Sequence, residues 1–338
     1  MTIQKTRNQS LNNLDAVEGK YVLYWMQQSQ RADCNHALEY AIQEANHLRC
    51  SLLVAFGLTD NYPEANLRHY AFMLEGLQET RATLADRGIQ MVVQLGSPPS
   101  VALALGKEAR LIVCDRGYLK HQRAWRREVA ANAPCRVVQV ESDVIVPVQF
   151  VSPKAEYAAR TIRPKIHRHL DDYLIGLKST KVDFPSMGMQ IDGLNLKRIE
   201  DVLEGLKIDR GVPAVTPHLA GGTAKAKARL ARFIQQRLQH YAQNSNQPQT
   251  DDISYMSPYL HFGQISPLYV AFEVLQAPNV AQSVKDAYIE ELVVRRELAM
   301  NFVFYTPDYD QYTCIPGWAK ATLDDHRKDK REVIYTRR

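Results

Sequence analysis

Three segments in the second half of this 338-residue sequence carry the side chains best suited to chemistry. In Val284 to Tyr305 (VKDAYIEELVVRRELAMNFVFY), Glu291, Arg295 and Leu298 recur at i, i+4 and i+7, with Tyr288 beside them on one face of an expected helix. A carboxylate and a guanidinium set among Val293, Val294, Leu298 and Phe302 either form a structural ion pair or serve a site, because unpaired burial of a charge costs several kcal/mol. Asp251 to Ser266 (DDISYMSPYLHFGQIS) packs hydroxyls, turn formers and aromatics between two helices. There, Ser254 and Ser257, with the free N–H groups of a turn running into Pro258, make either a plain capping turn or a cradle for phosphate. Thr223 to Tyr241 (TAKAKARLARFIQQRLQHY) starts at an expected N-cap, Thr223, and carries Leu230, Phe233, Ile234, Leu238 and Tyr241 on one face. Its other face holds Lys225, Lys227, Arg229, Arg232 and Arg237, which suits solvent or phosphates. Ser/His/Asp ordering and H-E-x-x-H are missing, so hydrolytic and metal catalysis have no support.

The elements that must position these groups change character near residue 150. Tyr21 to Met26, Ser51 to Leu58, Ile89 to Leu95, Leu111 to Cys114 and Arg136 to Val140 read as strands, apolar in runs rather than in alternation, hence buried on both faces. Asn35 to Leu48, Leu67 to Ala85, Pro99 to Lys107 and Leu119 to Ala131 lie between them with helical spacing, and Gly88 follows the second as a stop. A β-α-β-α order predicts a Rossmann-like, doubly wound parallel sheet, with ligands beyond the strands' carboxyl ends near Met26 to Ser29, Gly57 to Asp60 and Asp115 to Tyr118. Neither G-x-G-x-x-G nor G-x-x-x-x-G-K-[ST] follows any strand, which disfavours a dinucleotide dehydrogenase or a nucleotide-dependent transferase. After Phe150 the strand signals stop. A basic connector leads to helix-like segments at Ile166 to Leu177, Leu196 to Leu206, Ala224 to Ala242, Pro267 to Leu275 and Val284 to Tyr305.

Composition is that of a globular protein of about two domains: 45% hydrophobic and 23% charged residues, with a net charge of +5 that permits a polyanionic partner without requiring one. Apolar runs are far too short to span a bilayer, and the first residues lack the apolar core of a secretory signal, so they read as a polar tail. Five cysteines without a C-x-x-C pair give neither a disulfide framework nor a zinc site and fit a reducing, cytoplasmic setting.

The runs ISYMSPYLHFGQIS and EELVVRREL closely resemble those of the class II deoxyribodipyrimidine (cyclobutane pyrimidine dimer) DNA photolyases. The likeness extends to YWMQQSQRADCNHAL from Tyr24, RHYAFMLEGLQE from Arg68, CDRGYLKHQRAWRREV from Cys114 and EYAARTIRPKI from Glu156, and covers the chain from about residue 20 onward. The resemblance implies a polar tail at 1–19, an α/β antenna domain at 20–150, a linker at 151–222 and an all-helical FAD- and DNA-binding domain, incomplete, at 223–338. It implies light-driven electron transfer from reduced FAD to a pyrimidine dimer in UV-damaged DNA. It further implies a deazaflavin-type antenna chromophore in the first domain. Residue by residue, it places Tyr241 beside the flavin, Ser254, Tyr255, Met256 and Ser257 on the loop holding the FAD phosphates, Glu291 at the dimer, and Arg295 one turn on at the cofactor. No membrane and no protein partner is implied. Two departures stand out. Met300 replaces an acidic residue of the pattern, and the end in DDHRKDKREVIYTRR reads as truncation before the segment that encloses the flavin ring, leaving Trp25, Trp125 and Trp318 without an assignable electron relay. The alternative is a non-catalytic DNA-binding or light-sensing relative.

Overall fold

The computed structural model describes residues 3–216 and 218–335. Six strands form one sheet: β1 (Asn8–Ser10), β2 (Tyr21–Trp25), β3 (Ser51–Leu58), β4 (Gln90–Leu95), β5 (Ala109–Asp115) and β6 (Arg136–Val140), in the spatial order β1-β6-β5-β2-β3-β4. All neighbouring pairs are parallel except β1 with β6. All five residues of β2 are buried, as its run-like apolar pattern requires. Helices α1 (His36–His47), α2 (Leu67–Asp86), α3 (Pro98–Gly106) and α4 (Lys120–Asn132) are the crossovers. Asn35 caps α1 by accepting from the Leu38 N–H, and Gly88 at φ +77° ends α2 in the left-handed conformation that favours glycine.

The first residues do not form a free tail. A turn at Lys5–Arg7 leads into β1, which pairs antiparallel with β6 through Asn8↔Val140 and Ser10↔Val138. Three polar residues, Asn-Gln-Ser, give no strand signal; tertiary contacts supply it. Arg7, 1% exposed, donates from Nη1 to the Glu141 and Val144 carbonyls at 3.0 and 3.1 Å and from Nη2 to Ile145 at 2.5 Å. Pairing also covers the edge β6 would otherwise expose.

Beyond β6 the chain is helical: α5 (Val148–Val151), α6 (Ala159–Tyr173), α7 (Ile199–Gly205), α8 (Thr223–Gln236), α9 (Tyr241–Asn244), α10 (Ser257–His261), α11 (Pro267–Leu275), α12 (Gln282–Ile289), α13 (Arg296–Tyr305) and α14 (Gly317–Asp325). Helix α6 starts seven residues before the expected Ile166 and runs through Pro164, which forfeits a single hydrogen bond. The stretch between Phe150 and α8 is more than a connector, because Leu196, Ile199, Val202 and Leu206 pack into the same core as one face of the sheet. The expected single helix Val284 to Tyr305 is three pieces, α12 and α13 joined by a π-helical segment at Glu290–Arg295. A second core gathers Ile162, Ile166, Leu230, Phe233, Tyr259, Tyr288 and Val294 from the helices.

Candidate functional site

A cavity of about 670 Å³ opens at the carboxyl ends of β2, β3 and β5 and is closed by the helical half. Met26, Gly57 and Tyr118 lie at the strand ends, Trp125 on α4, Met300 and Val303 on α13. The rim loop after β2 is shaped by Asp115, whose Oδ2 accepts from the N–H groups of Gln27, Gln28 and Ser29 at 2.8, 2.9 and 3.0 Å while Oδ1 accepts from the Tyr24 hydroxyl at 2.9 Å. Burial pushes that carboxyl's pKa up, and the converging N–H groups pull it back. The walls are mainly apolar, but both side-chain amide atoms of Gln27, Oε1 of Gln30 and Oδ2 of Asp143 are buried without a partner. Buried polar atoms left unpaired cost about 1–3 kcal/mol each, which the polar groups of a bound ligand would offset. Arg31 locks the domains together at the cavity's base, donating Nη1 to Asp143 at 3.0 Å and to the Gly263 carbonyl at 2.9 Å.

The second cluster lies in the helical half. Tyr288, 4% exposed, donates to Ser254 Oγ at 3.0 Å and meets the Tyr241 ring edge-on, 5.0 Å between centroids. Tyr241 is half-buried and also contacts Phe233. Its phenol pKa is raised by burial and then by the negative charge of Glu291, which ties Tyr241 to the π segment. Glu291 and Arg295 sit on that segment with their side chains 54% and 56% exposed, the Arg295 Nε 3.5 Å from Glu290 and 3.7 Å from Glu291. The expectation that they are embedded among apolar neighbours therefore fails: both face solvent. Glu290 is the better paired carboxylate, held bidentately by Arg163 at 2.9 and 2.6 Å and thereby pulled below its ordinary pKa.

The loop from Asp251 to Ser257 runs beside this cluster. Tyr255 has φ +55°, strained for a residue with a side chain; it donates to Asp251, and the Arg229 guanidinium stands 5.6 Å from its ring centroid. Arg237 pairs with Asp251 at 2.6 Å. Among the described residues, the N–H groups of Ser254, Tyr255 and Ser257 have no backbone acceptor. Met256 differs from its neighbours: its side chain is 2% exposed in the helical core, leaving only its main chain to the loop. Serine hydroxyl, spare N–H groups and flanking guanidinium groups together suit the pyrophosphate of a dinucleotide such as FAD. Thus the structure joins Tyr241 and Ser254 directly to Tyr288, sets Glu291 within electrostatic range of Tyr241, and holds Arg295 beside Glu290 and Glu291. It sets Tyr255 on the adjoining exposed turn and Ser257 at the first residue of α10, where it also lines the sheet-end cavity.

Sequence reasoning missed Glu297, the buried carboxylate of this region. Only 2% exposed, it accepts from the Ile145 and Val146 N–H groups at 2.5 and 3.4 Å, while Asn301 one turn on accepts from the Glu156 N–H at 2.7 Å. Burial pushes the Glu297 pKa up to about 8, against the opposing pull of those N–H groups and of Arg296 and Arg7. The i, i+4 spacing of Glu297 and Asn301 was the available signal.

The DNA photolyase family model matches residues 22–186. A deoxyribodipyrimidine photo-lyase of Methanothermobacter thermautotrophicus is 43% identical over 338 residues, covering 99% of this chain and 73% of that protein. The chain belongs to the DNA photolyase family. Proteins of the same name from Potorous tridactylus and Arabidopsis thaliana are 35% and 32% identical, and the chain spans 59% and 65% of their lengths. Among solved structures, a bacterial class III photolyase from Agrobacterium tumefaciens superposes with a TM-score of 0.66 at 16% identity, covering 87% of this chain and 61% of that one. A cryptochrome from Synechocystis sp. PCC6803 gives the same score at 14% identity, covering 86% and 62%. These two matches establish the photolyase fold. The family-model match spans most of the first domain, and Tyr241 to Arg295 lie within the part shared with the longer relatives. Met300, the one departure from the expected pattern in this helix, lines the sheet-end cavity rather than the Tyr288 cluster. No described helix is long and apolar enough to cross a membrane.

Proposed function

We propose that this photolyase-family chain acts in light-dependent repair of cyclobutane pyrimidine dimers, as a class II enzyme, with FAD at the Tyr241–Ser254–Arg295 cluster and UV-damaged DNA as substrate. The observation that supports it best is the chain of contacts from Ser254 through Tyr288 and Tyr241 to Glu291, whose half-exposed carboxylate stands beside the half-exposed Arg295 guanidinium, next to a loop with spare hydrogen-bond donors. Reduced flavin, when bound, supplies a photoexcited electron. The chain's own groups do the rest. Ser254, the loop N–H groups and the nearby arginines hold phosphates, and Tyr241 and Tyr288 form an apolar wall. Glu291, open to solvent, is free to hydrogen-bond bases flipped out of the stack and to stabilise charge developing on them. Basic residues of α6 and α8 hold the DNA backbone without reading sequence.

The sheet-end cavity supports a second bound chromophore of the deazaflavin type. Its apolar walls fit a flat aromatic ring system, and Gln27, Gln30 and Asp143 offer the unpaired polar atoms such a ring's edge groups would use.

The test is direct. The purified chain, reconstituted with FAD and reduced, should show flavin absorbance and convert dimer-containing oligonucleotide to unmodified thymines only under light. Flavin and DNA binding without repair would sink the enzyme reading and favour the light-sensing or DNA-binding alternative.

A further inference from the structure

The large cavity uses one side of α4, through Leu119, Gln122 and Trp125. A different side of the same helix borders a second concavity of about 270 Å³, open to solvent and lined by Arg116, Arg123, Arg126, Arg127, Gln139 and Phe304 among others. Four guanidinium groups converge there and no Asp or Glu lines the space. Arg116 has a carboxylate, Glu141 at 3.1 Å. Among the described residues the other three make hydrogen bonds only to neutral acceptors: Arg123 Nη1 to the Phe304 carbonyl at 3.0 Å, Arg126 Nε and Nη2 to Gln139 at 3.0 Å and the Gly117 carbonyl at 2.6 Å, and Arg127 Nε to the Arg123 carbonyl at 3.3 Å.

Arg126 is the deepest of them. It is 6% exposed, and its Nη1 is shut from water without any partner. A buried guanidinium with an idle donor, among like charges, costs free energy that a bound anion would offset. Its pKa is accordingly lowered, first by desolvation. The geometry is also preset: the Arg116 and Arg123 guanidinium carbons stand 4.8 and 5.2 Å from the centroid of the Phe304 ring, which restricts both side chains before any ligand arrives.

We propose that this cleft is a site for a small phosphate-bearing anion, a tetrahedral oxyanion held by charge-assisted bonds from Arg123, Arg126 and Arg127. Guanidinium forks match phosphate oxygens two at a time, whereas lysines would act only as point charges. The concave floor selects a free phosphate group over a duplex backbone. This inference does not depend on the flavin or on the repair reaction.

The full 338-residue chain, titrated with inorganic phosphate and separately with inorganic pyrophosphate against sodium chloride of matched ionic strength, tests it. Expected are saturable binding heats and a rise in melting temperature beyond the chloride control. Arg126→Gln should weaken binding by about tenfold or more, the worth of a charge-assisted hydrogen bond. Because Arg126 is buried, Arg127→Gln serves as the second variant: it is exposed, bonds only to its own helix, and should weaken binding without changing the fold by circular dichroism. Heats no larger than chloride's, or binding unchanged in Arg127→Gln, would overturn the proposal. So would dependence on these arginines for undamaged duplex DNA alone, with neither phosphate nor pyrophosphate bound.

Discussion

The two regions that flank the domain junction solve opposite problems. At the sheet ends, side chains enclose about 670 Å³ behind apolar walls with a few idle polar atoms. Around Tyr288 the charged groups stand half in solvent on a π-helical turn. A concave, mainly apolar cavity recognises a ligand largely by shape; an open charged surface leaves room for a macromolecule to bring its own groups. The proposed roles follow that difference: a chromophore in the walled cavity, a DNA lesion on the open face.

Separate roles mean separable defects. Ala65→Trp, which fills the mouth of the enclosed cavity, should abolish binding of an antenna chromophore while leaving repair driven directly through the flavin intact. Absorbance after reconstitution and an action spectrum would show it, and loss of both together would erase the distinction. Glu291→Gln should do the reverse, cutting light-dependent repair by about 10²-fold with the melting temperature unchanged, if the half-exposed charge acts on the bases as proposed. A falling melting temperature would instead mark Glu291 as structural.

Buried Glu297 on α13 contrasts with half-exposed Glu291 on the π segment. Its folded pKa of about 8 lies above the ordinary 4.5. The folded state therefore holds a proton that the unfolded state releases, and stability should decline as pH rises from about 4.5 to 8, at up to about 1.4 kcal/mol per pH unit, then level off. Denaturant unfolding across that range measures the slope; Glu297→Gln keeps an acceptor for Ile145 and should flatten it. The smallest effect is expected of Ser254→Ala, which removes the Tyr288 hydrogen bond and the proposed phosphate partner: about 1 kcal/mol, or roughly fivefold in flavin affinity.

Much of this was readable in the sequence because it rests on local pattern. Strands Ser51–Leu58 and Arg136–Val140 and helix Pro267–Leu275 fall where their apolar periods place them. The cavity lies at Met26, Gly57 and Tyr118, the strand ends that the topology of a doubly wound sheet singles out. What the sequence concealed was non-local. Strand β1 has no apolar residue and exists because β6 and the carbonyls around Arg7 receive it. The π segment has no period of its own, and carrying a 3.6-residue repeat through Glu290–Arg295 misplaces the faces on either side. That is why Glu291 was expected among apolar neighbours while Glu297 went unnoticed.

Ile145 is held from both directions along the chain: its carbonyl receives Arg7 and its N–H donates to Glu297. Contacts spanning separations of 138 and 152 residues are slow to close, since loop entropy must be overcome before they are rewarded. During vectorial synthesis Arg7 emerges first, waits for residue 145, and that peptide in turn waits for residue 297. Until then the parallel sheet can assemble and Arg31 can reach Gly263, but the Ile145 peptide lacks its second partner. The two halves are thereby fastened in stages, the Glu297 contact after the Gly263 one.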